Sequence, residues 1–223
     1  MYSVILPVLN EGASIGGVVR ELLLDEECVV VVADDGSTDG TREEIEALKG
    51  SRALFLDRSK EAEHGLCISA LHALEKANGK FVVVMDADGQ HPAQKVRELV
   101  QALKNGADFA IGTREDWKSM QMHRKIISLC ATAIANASLL ARGKRMVQDP
   151  MSGFFAARLP LAVVVAKKGR FVGKGYKVLF EMLKYAPKEI AVAQVSFRMG
   201  MRESGESKIS IKHVFYFLQA ALF

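Results

Sequence analysis

The sequence predicts an α/β protein built on a mostly parallel central sheet, and three observations carry that reading. Short β-rich runs alternate with helical patterns as far as Gly112. One of those runs, Val29-Val30-Val31-Val32, is apolar at every position, as strands are when helices cover both faces of their sheet. Acidic or amide residues recur where the runs end, which is where open α/β sheets bind ligands.

The strand runs are expected at Tyr2 to Leu9, Cys28 to Ala33, Arg52 to Leu56, Lys80 to Met85 and Asp108 to Ile111. Helical patterns fill the intervals, at Ser14 to Leu24, Thr38 to Lys49, Gly65 to Asn78 and Pro92 to Asn105. In the third of these Leu71, Leu74 and Ala77 share one face while His72, Glu75 and Lys76 are polar, the spacing of an amphipathic helix. Strands joined by helices in this way form parallel pairs with right-handed crossovers. After Gly112 the pattern changes to a polar loop, a long helix from about His123 to Arg142 and a turn at Asp149-Pro150. A mixed region follows, with a strand at Ala191 to Phe197 and a last helix from about Ile209. No repeat or linker divides the chain, so one domain is expected over residues 1–223, with an elaborated C-terminal third.

Composition excludes several classes. The 223 residues are 49% hydrophobic and 25% charged, unlike a disordered or fibrous chain. A net charge of +4 is too weak to indicate nucleic acid, though it suits an anionic ligand or a membrane surface. Three cysteines without a C-x-x-C pair argue against a zinc site or disulfide framework and for a reducing compartment, with all three expected as buried small hydrophobes. The start lacks the basic segment and cleavage site of a signal peptide, and no apolar run reaches the roughly 20 residues that span a bilayer. Two segments come partway. Ile126 to Ala141 is uncharged and flanked by Arg124, Lys125, Arg142, Lys144 and Arg145, and Val214 to Phe223 is nearly all apolar. A core helix is the favoured reading of each, and a helix lying among lipid headgroups is the alternative.

Three strand ends carry the candidate chemistry: Pro7-Val8-Leu9-Asn10-Glu11, Asp34-Asp35-Gly36-Ser37 and Asp86-Ala87-Asp88-Gly89-Gln90. Each has a purely structural alternative. Asp35 suits a turn, Ser37 or Thr38 could cap the next helix, Glu11 could be a surface residue, and Asp86 and Asp88 point to different faces if extended. Carboxylates gathered at one sheet edge nevertheless repel one another unless a cation or hydrogen-bonding ligand sits among them. Mg²⁺ or Mn²⁺ bridging a nucleotide diphosphate needs only one or two protein carboxylates, so the D-x-D pair suits that cofactor. The G-x-x-x-x-G-K-[ST] and G-x-G-x-x-G phosphate signatures are absent, and the five histidines lack metal-ligand spacing.

In this order the motifs resemble the family 2 glycosyltransferases of the GT-A fold, and among them the single-chain, yeast-type dolichol-phosphate mannose synthases. The more specific stretches are Met85 to Pro92, Ile111-Gly112-Thr113-Arg114, Arg124 to Ser128, Asp149-Pro150-Met151-Ser152-Gly153-Phe154-Phe155 and Arg202 to Lys208 with its G-E-S-K. The resemblance implies GDP-mannose as donor and a dolichyl or other polyprenyl phosphate as acceptor, with inversion to a β-linked product. It implies a nucleotide pocket of Pro7, Leu9, Glu11, Asp34 and Asp35, with Asp86, Ala87, Asp88 and Gln90 on metal, diphosphate and sugar. Asp86, Asp88 and Gln90 would be the metal positions. Arg114, Arg124 and Ser128 would meet the acceptor phosphate, Arg198 and Lys208 would contact the donor phosphates or close the site, and Asp88, Arg114 and Arg124 would be catalytic, with residues 1–112 as the nucleotide-sugar half and 113–223 as the acceptor half. It further implies action at a membrane surface (the cytosolic face of the endoplasmic reticulum, or the cytoplasmic membrane of a prokaryote) and an anchor or partner subunit outside this chain. Three departures stand out: Leu9 where the family often has an aromatic, His64 where Lys commonly precedes Gly-Leu, and a short loop without glycines from Arg114 to Arg124. A related polyprenyl-phosphate glycosyltransferase using UDP-glucose or another donor and an inactive GT-A-like binding protein are the alternatives, the latter opposed by the intact D-x-D, Arg124 and G-E-S-K.

Overall fold

A computed structural model describes residues 1–48, 52–115, 122–172, 177–200 and 211–222. The elements follow in the order β1 (Tyr2–Val8), α1 (Gly12–Leu22), β2 (Cys28–Asp34), α2 (Thr41–Glu46), β3 (Ala53–Asp57), α3 (Leu66–Leu74), β4 (Phe81–Val84), α4 (Gln94–Lys104) and β5 (Phe109–Arg114). The second half runs α5 (Met122–Ala141), β6 (Phe155–Arg158), α6 (Leu159–Lys168), α7 (Val178–Tyr185), β7 (Val192–Phe197) and α8 (Ile211–Leu222).

The strands form one seven-stranded sheet in the order β3-β2-β1-β4-β6-β5-β7. Every pairing is parallel except the two made by β6, which runs antiparallel to both β4 and β5. The predicted strands and helices of the first half are all present, with shifted ends. β6, α6 and α7 occupy what the sequence showed only as a mixed region. The sheet is covered on both sides, which is why Val29 to Val32 carries no polar residue. Val31 and Ala33 point into a core with α3, α6 and α7, while Val30 and Val32 point into a second core with α1 and α4. The chain leaves β1 toward β2 on one side and returns to β4 on the other. The carboxyl ends of β1 and β4 therefore flank the crevice where a doubly wound sheet binds its ligand. Pro7 is accommodated because β1 pairs with β4 only as far as Ile5, so its missing N–H interrupts no ladder on that side.

Two expectations need correction. Cys28 and Cys67 are buried, but Cys130 is exposed, because it lies on the outward side of α5. The core reading of the two apolar segments holds for only one stripe of each helix. α5 buries Ala135 and Leu139, and α8 buries Phe217, Ala220 and Ala221. Ile126, Ile127, Leu129 and Ile134 on α5 and Val214, Phe215, Leu218 and Leu222 on α8 remain exposed. A hydrogen bond from Ser138 Oγ to the Ala221 carbonyl, 2.6 Å, ties the two helices together. Asn136, inside an apparent glycosylation sequon, is buried and bonds both the N–H and the carbonyl of Val147, so its amide is spent holding that segment to α5. Among the described residues, no helix is long and apolar enough to cross a membrane.

Candidate active site

The first wall of the crevice is made where β1 and β2 end. Asn10 takes a left-handed conformation with φ of 55°, which an Asn tolerates better than most residues. That turn lets its Oδ1 accept from the Thr38 N–H and its own N–H donate to Ser37 Oγ, both at 2.8 Å. The Glu11 N–H donates to Thr41 Oγ1 and the Gly12 N–H to Asp39 Oδ2. The P-x-x-N-E segment and the D-D-G-S-T-D-G-T segment are thus laced into one unit.

The two adjacent aspartates of that unit, Asp34 and Asp35, do different things. Asp34 is buried and accepts from the N–H groups of Gly36 and Ser37 and from the Ser37 hydroxyl, folding its own loop. Ser37 is therefore held by Asp34 and α2 begins after Gly40 without a side-chain cap, so the capping role considered for Ser37 or Thr38 is not realised. Asp35 reaches the other way. Its Oδ1 accepts from Arg58 Nη1 at 2.7 Å and meets His64 Nδ1 at 3.1 Å, and its Oδ2 accepts from the Gly65 N–H at 2.7 Å. Arg58 is fully buried and also donates to Ser69 Oγ, the Glu63 carbonyl and His72 Nδ1. This guanidinium is the hub that fixes the 58–65 segment against the end of β2, and sequence reading did not find it.

The second wall follows β4. The backbone N–H of Asp86 donates to His91 Nδ1 at 3.0 Å, which makes that nitrogen an acceptor and places the ring proton on Nε2. His91 is buried between Phe154, stacked at 5.1 Å, and the edge of Phe197. Burial holds its pKa below the usual histidine value despite the nearby Asp86 and Asp88. The 3.9 Å approach of His91 Nδ1 to Asp86 Oδ2 is consequently not a salt bridge. The H-P motif thus shapes the D-x-D turn from beneath. Ala87 is buried, its carbonyl accepting from Ser14 Oγ, and Asp88 Oδ1 accepts from the Gln90 N–H. Asp86 remains more open, its side chain 42% exposed.

The third wall comes from the second half. Gly153 passes so close to the D-x-D turn that a Cβ there would lie 3.2 Å from Asp86 Oδ2 and 3.6 Å from His91 Cε1. Ser152 is buried and its hydroxyl bonds the carbonyls of Gly112 and Phe154. Asp149 accepts from the Met151 N–H, and burial raises its carboxyl pKa while Arg114 and Lys177 pull it back. Lys177 Nζ donates to the Met151 carbonyl at 2.9 Å. Gly200, past the end of β7, bonds the Gln90 carbonyl and so ties that strand's exit to the D-x-D loop.

The donor set suits a divalent cation shared with a diphosphate. Among the described residues no group of three or more His, Cys, Asp or Glu side chains could enclose a metal alone. Asp88 with Asp86 could supply the one or two carboxylates that a phosphate-bridged divalent cation requires.

Residues 3–158 match the family model described as glycosyl transferase family 2. The chain belongs to that family. It is 34% identical to a dolichol-phosphate mannosyltransferase of Pyrococcus furiosus over 97% of this chain, and spans 61% of that protein's length. It is 32% identical to the Saccharomyces cerevisiae dolichol-phosphate mannosyltransferase over 98% of this chain and 84% of the yeast protein. Among solved structures it superposes on glucosyl-3-phosphoglycerate synthase from Mycobacterium tuberculosis, crystallised with Mn²⁺, UDP-glucose and glycerol 3-phosphate. The TM-score is 0.70 over 99% of this chain and 78% of that one, at 24% identity, which speaks to the fold alone. The fold is GT-A.

Of the predicted site residues, this family 2 fold brings Pro7, Leu9, Glu11, Asp34 and Asp35 to the ends of β1 and β2, and Asp86, Ala87, Asp88 and Gln90 to the end of β4. Arg114 closes β5, where it acts electrostatically on Asp149 and Lys177. Arg198 is 82% exposed and paired with Glu115 at 3.3 Å, away from the buried part of the crevice. Ser128 lies half-buried on α5. Lys208 and the G-E-S-K motif lie outside the described residues, as does the side chain of Arg124.

Proposed function

We propose that this chain transfers mannose from GDP-mannose to dolichyl or another polyprenyl phosphate, forming the β-linked lipid phosphate sugar in one GT-A domain spanning both halves of the sequence. The observation that carries the reading is the likeness to dolichol-phosphate mannosyltransferases across 98% of this chain, acceptor half included. The nucleoside would lie between the β1 and β2 ends, against Pro7, Leu9, Glu11, Asp34 and Asp35. Asp88, with Asp86 and Gln90, would hold Mg²⁺ or Mn²⁺ on the diphosphate. That cation supplies charge neutralisation for the departing GDP.

The nucleophile is a phosphate monoester, anionic at neutral pH, so the protein needs no strong general base. Its task is to bring two anions together in line and screen their repulsion. Arg114 suits the acceptor because a guanidinium fork binds phosphate oxygens in pairs, and Arg124 and Ser128 share that role in this reading. Arg198 and Lys208 serve the donor phosphates. The exposed apolar stripes of α5 and α8 support a site worked at a membrane surface, since a polyprenyl tail leaves a bilayer only at high cost.

The test is radiolabelled sugar transfer to a polyprenyl phosphate in detergent, with GDP-mannose or UDP-glucose as donor, with and without Mn²⁺. Metal-dependent label from GDP-mannose alone is expected. Label from UDP-glucose alone would move the chain to a sister activity, and label from neither, with GDP still bound, would leave a binding protein.

A further inference from the structure

Lys177 belongs to none of the motifs read from the sequence, yet the fold delivers it to the crevice at the start of α7. Its ammonium donates to the Met151 carbonyl, on the same turn that Asp149 closes by accepting the Met151 N–H. Three charged side chains from three different segments act on it. Arg114 comes from the end of β5, Asp86 from the end of β4, and Asp149 from the turn before β6. Asp88 and His91 also lie in this region, the His91 Nδ1 accepting from the Asp86 N–H. Asp149 lies within electrostatic range of both cations and offsets part of their charge.

Two cations held within electrostatic reach of each other in a partly buried crevice destabilise the ligand-free protein. An anion between them reverses the sign of that interaction. The donor diphosphate would be matched by a divalent cation held on the D-x-D side. The acceptor monoester has no such counterion, and carries a charge of about −1.5 to −2 at neutral pH. We infer that Lys177 is, beside Arg114, a second cationic ligand of the acceptor phosphate. The inference rests on the polyprenyl-phosphate reading and adds a binding residue to it. The two groups are complementary: the guanidinium grips two oxygens in one plane, and the ammonium is a compact charge that turns to meet a third.

The chemistry explains what such a ligand would change. An acceptor phosphate oxygen forms a bond to the sugar C1 as the bond from C1 to the diphosphate oxygen breaks, and GDP leaves with the electron pair. The acceptor passes from a monoester dianion to a diester monoanion, so a cation at this position holds the substrate more tightly than the product. Its loss should appear in the acceptor KM rather than in kcat.

The experiment compares wild type with Lys177→Gln and Lys177→Arg, using geranylgeranyl phosphate and GDP-mannose with Mn²⁺. Lys177→Gln should raise the acceptor KM about tenfold to a hundredfold, leave kcat within about threefold and leave GDP-mannose affinity unchanged, the loss expected of one charge-assisted contact. Lys177→Arg, which keeps the charge, should recover most of the acceptor KM. An acceptor KM unchanged in Lys177→Gln, or a loss confined to GDP-mannose binding, overturns the inference. If wild type transfers no mannose, the parent reading fails instead. Calorimetric titration of geranylgeranyl phosphate then still decides Lys177: weaker binding by the Gln variant supports it and equal binding refutes it.

Discussion

Removing Arg58 should be among the most damaging single changes in the first half of the chain. Its guanidinium is fully buried and serves Asp35, Ser69, His72 and the Glu63 carbonyl together. Arg58→Met keeps much of the volume and removes every donor. Among the described residues, the Asp35 carboxylate, whose side chain is 8% exposed, then keeps only His64 and the Gly65 N–H. Breaking a buried ion pair by removing one partner costs about 3–5 kcal/mol. A chain of this size loses about 2–4 °C of melting temperature per kcal/mol, so a fall of roughly 6–20 °C is expected. Urea unfolding of wild type, Arg58→Met, Asp35→Asn and the double variant measures the pair itself. Coupling of about 1.5–3 kcal/mol is expected, with GDP affinity weakened in parallel because Asp35 sits at the end of β2. Single-variant costs that add to within about 0.5 kcal/mol would refute the hub, since residues in one network do not behave independently.

Further outcomes follow from other parts of the site. Asp88→Asn should lower metal-dependent turnover by roughly a hundredfold or more while GDP-mannose transfer assays still show residual activity, and near-wild-type turnover with Mn²⁺ present would remove Asp88 from the metal site. Leu129→Asp or Ile134→Asp, both at exposed positions of α5, should cut liposome sedimentation about tenfold with little change in GDP-mannose affinity; equal loss in both would indicate a packing role. Gly112→Ala would put a Cβ 2.7 Å from Phe154 Cδ1 and 2.9 Å from the Phe154 carbonyl, displacing the ring that stacks on His91, and should cost about 1–3 kcal/mol by thermal unfolding. Lys177→Met should stabilise the ligand-free protein at pH 7 by about 1–2 kcal/mol, because a cation is removed from beside Arg114. Burial and Arg114 lower the Lys177 ammonium from 10.5 to about 8, so between those values the unfolded chain binds the extra proton and wild-type stability rises with pH. The advantage of the Met variant should therefore shrink across that window, and a constant difference would show that Lys177 does not titrate there.

The sequence by itself determined the alternation of β1 through β5 with their helices, because apolar periodicity is written within windows of a few residues. It also determined that carboxylates gather at the ends of β1, β2 and β4, since a strand's end and its acidic residues are adjacent in the chain. It could not show that Asp34 and Asp35 part company, one folding its own loop and the other gripping an arginine more than twenty residues away, because both read as the same D-D-G-S turn. β6 escaped notice because Phe155-Ala156-Ala157-Arg158 has too short and too small an apolar pattern, and becomes a strand only by fitting between β4 and β5. The exposed stripes of α5 and α8 were equally undecidable, since an apolar helix looks the same whether one face or all of it is covered. Arg58 and Lys177 are charged residues that local pattern assigns to solvent. Only the tertiary structure decided that one is buried whole and that the other lies within electrostatic range of Arg114, Asp86 and Asp149, because those neighbours come from segments far apart in the chain and are brought together by the packing of the sheet.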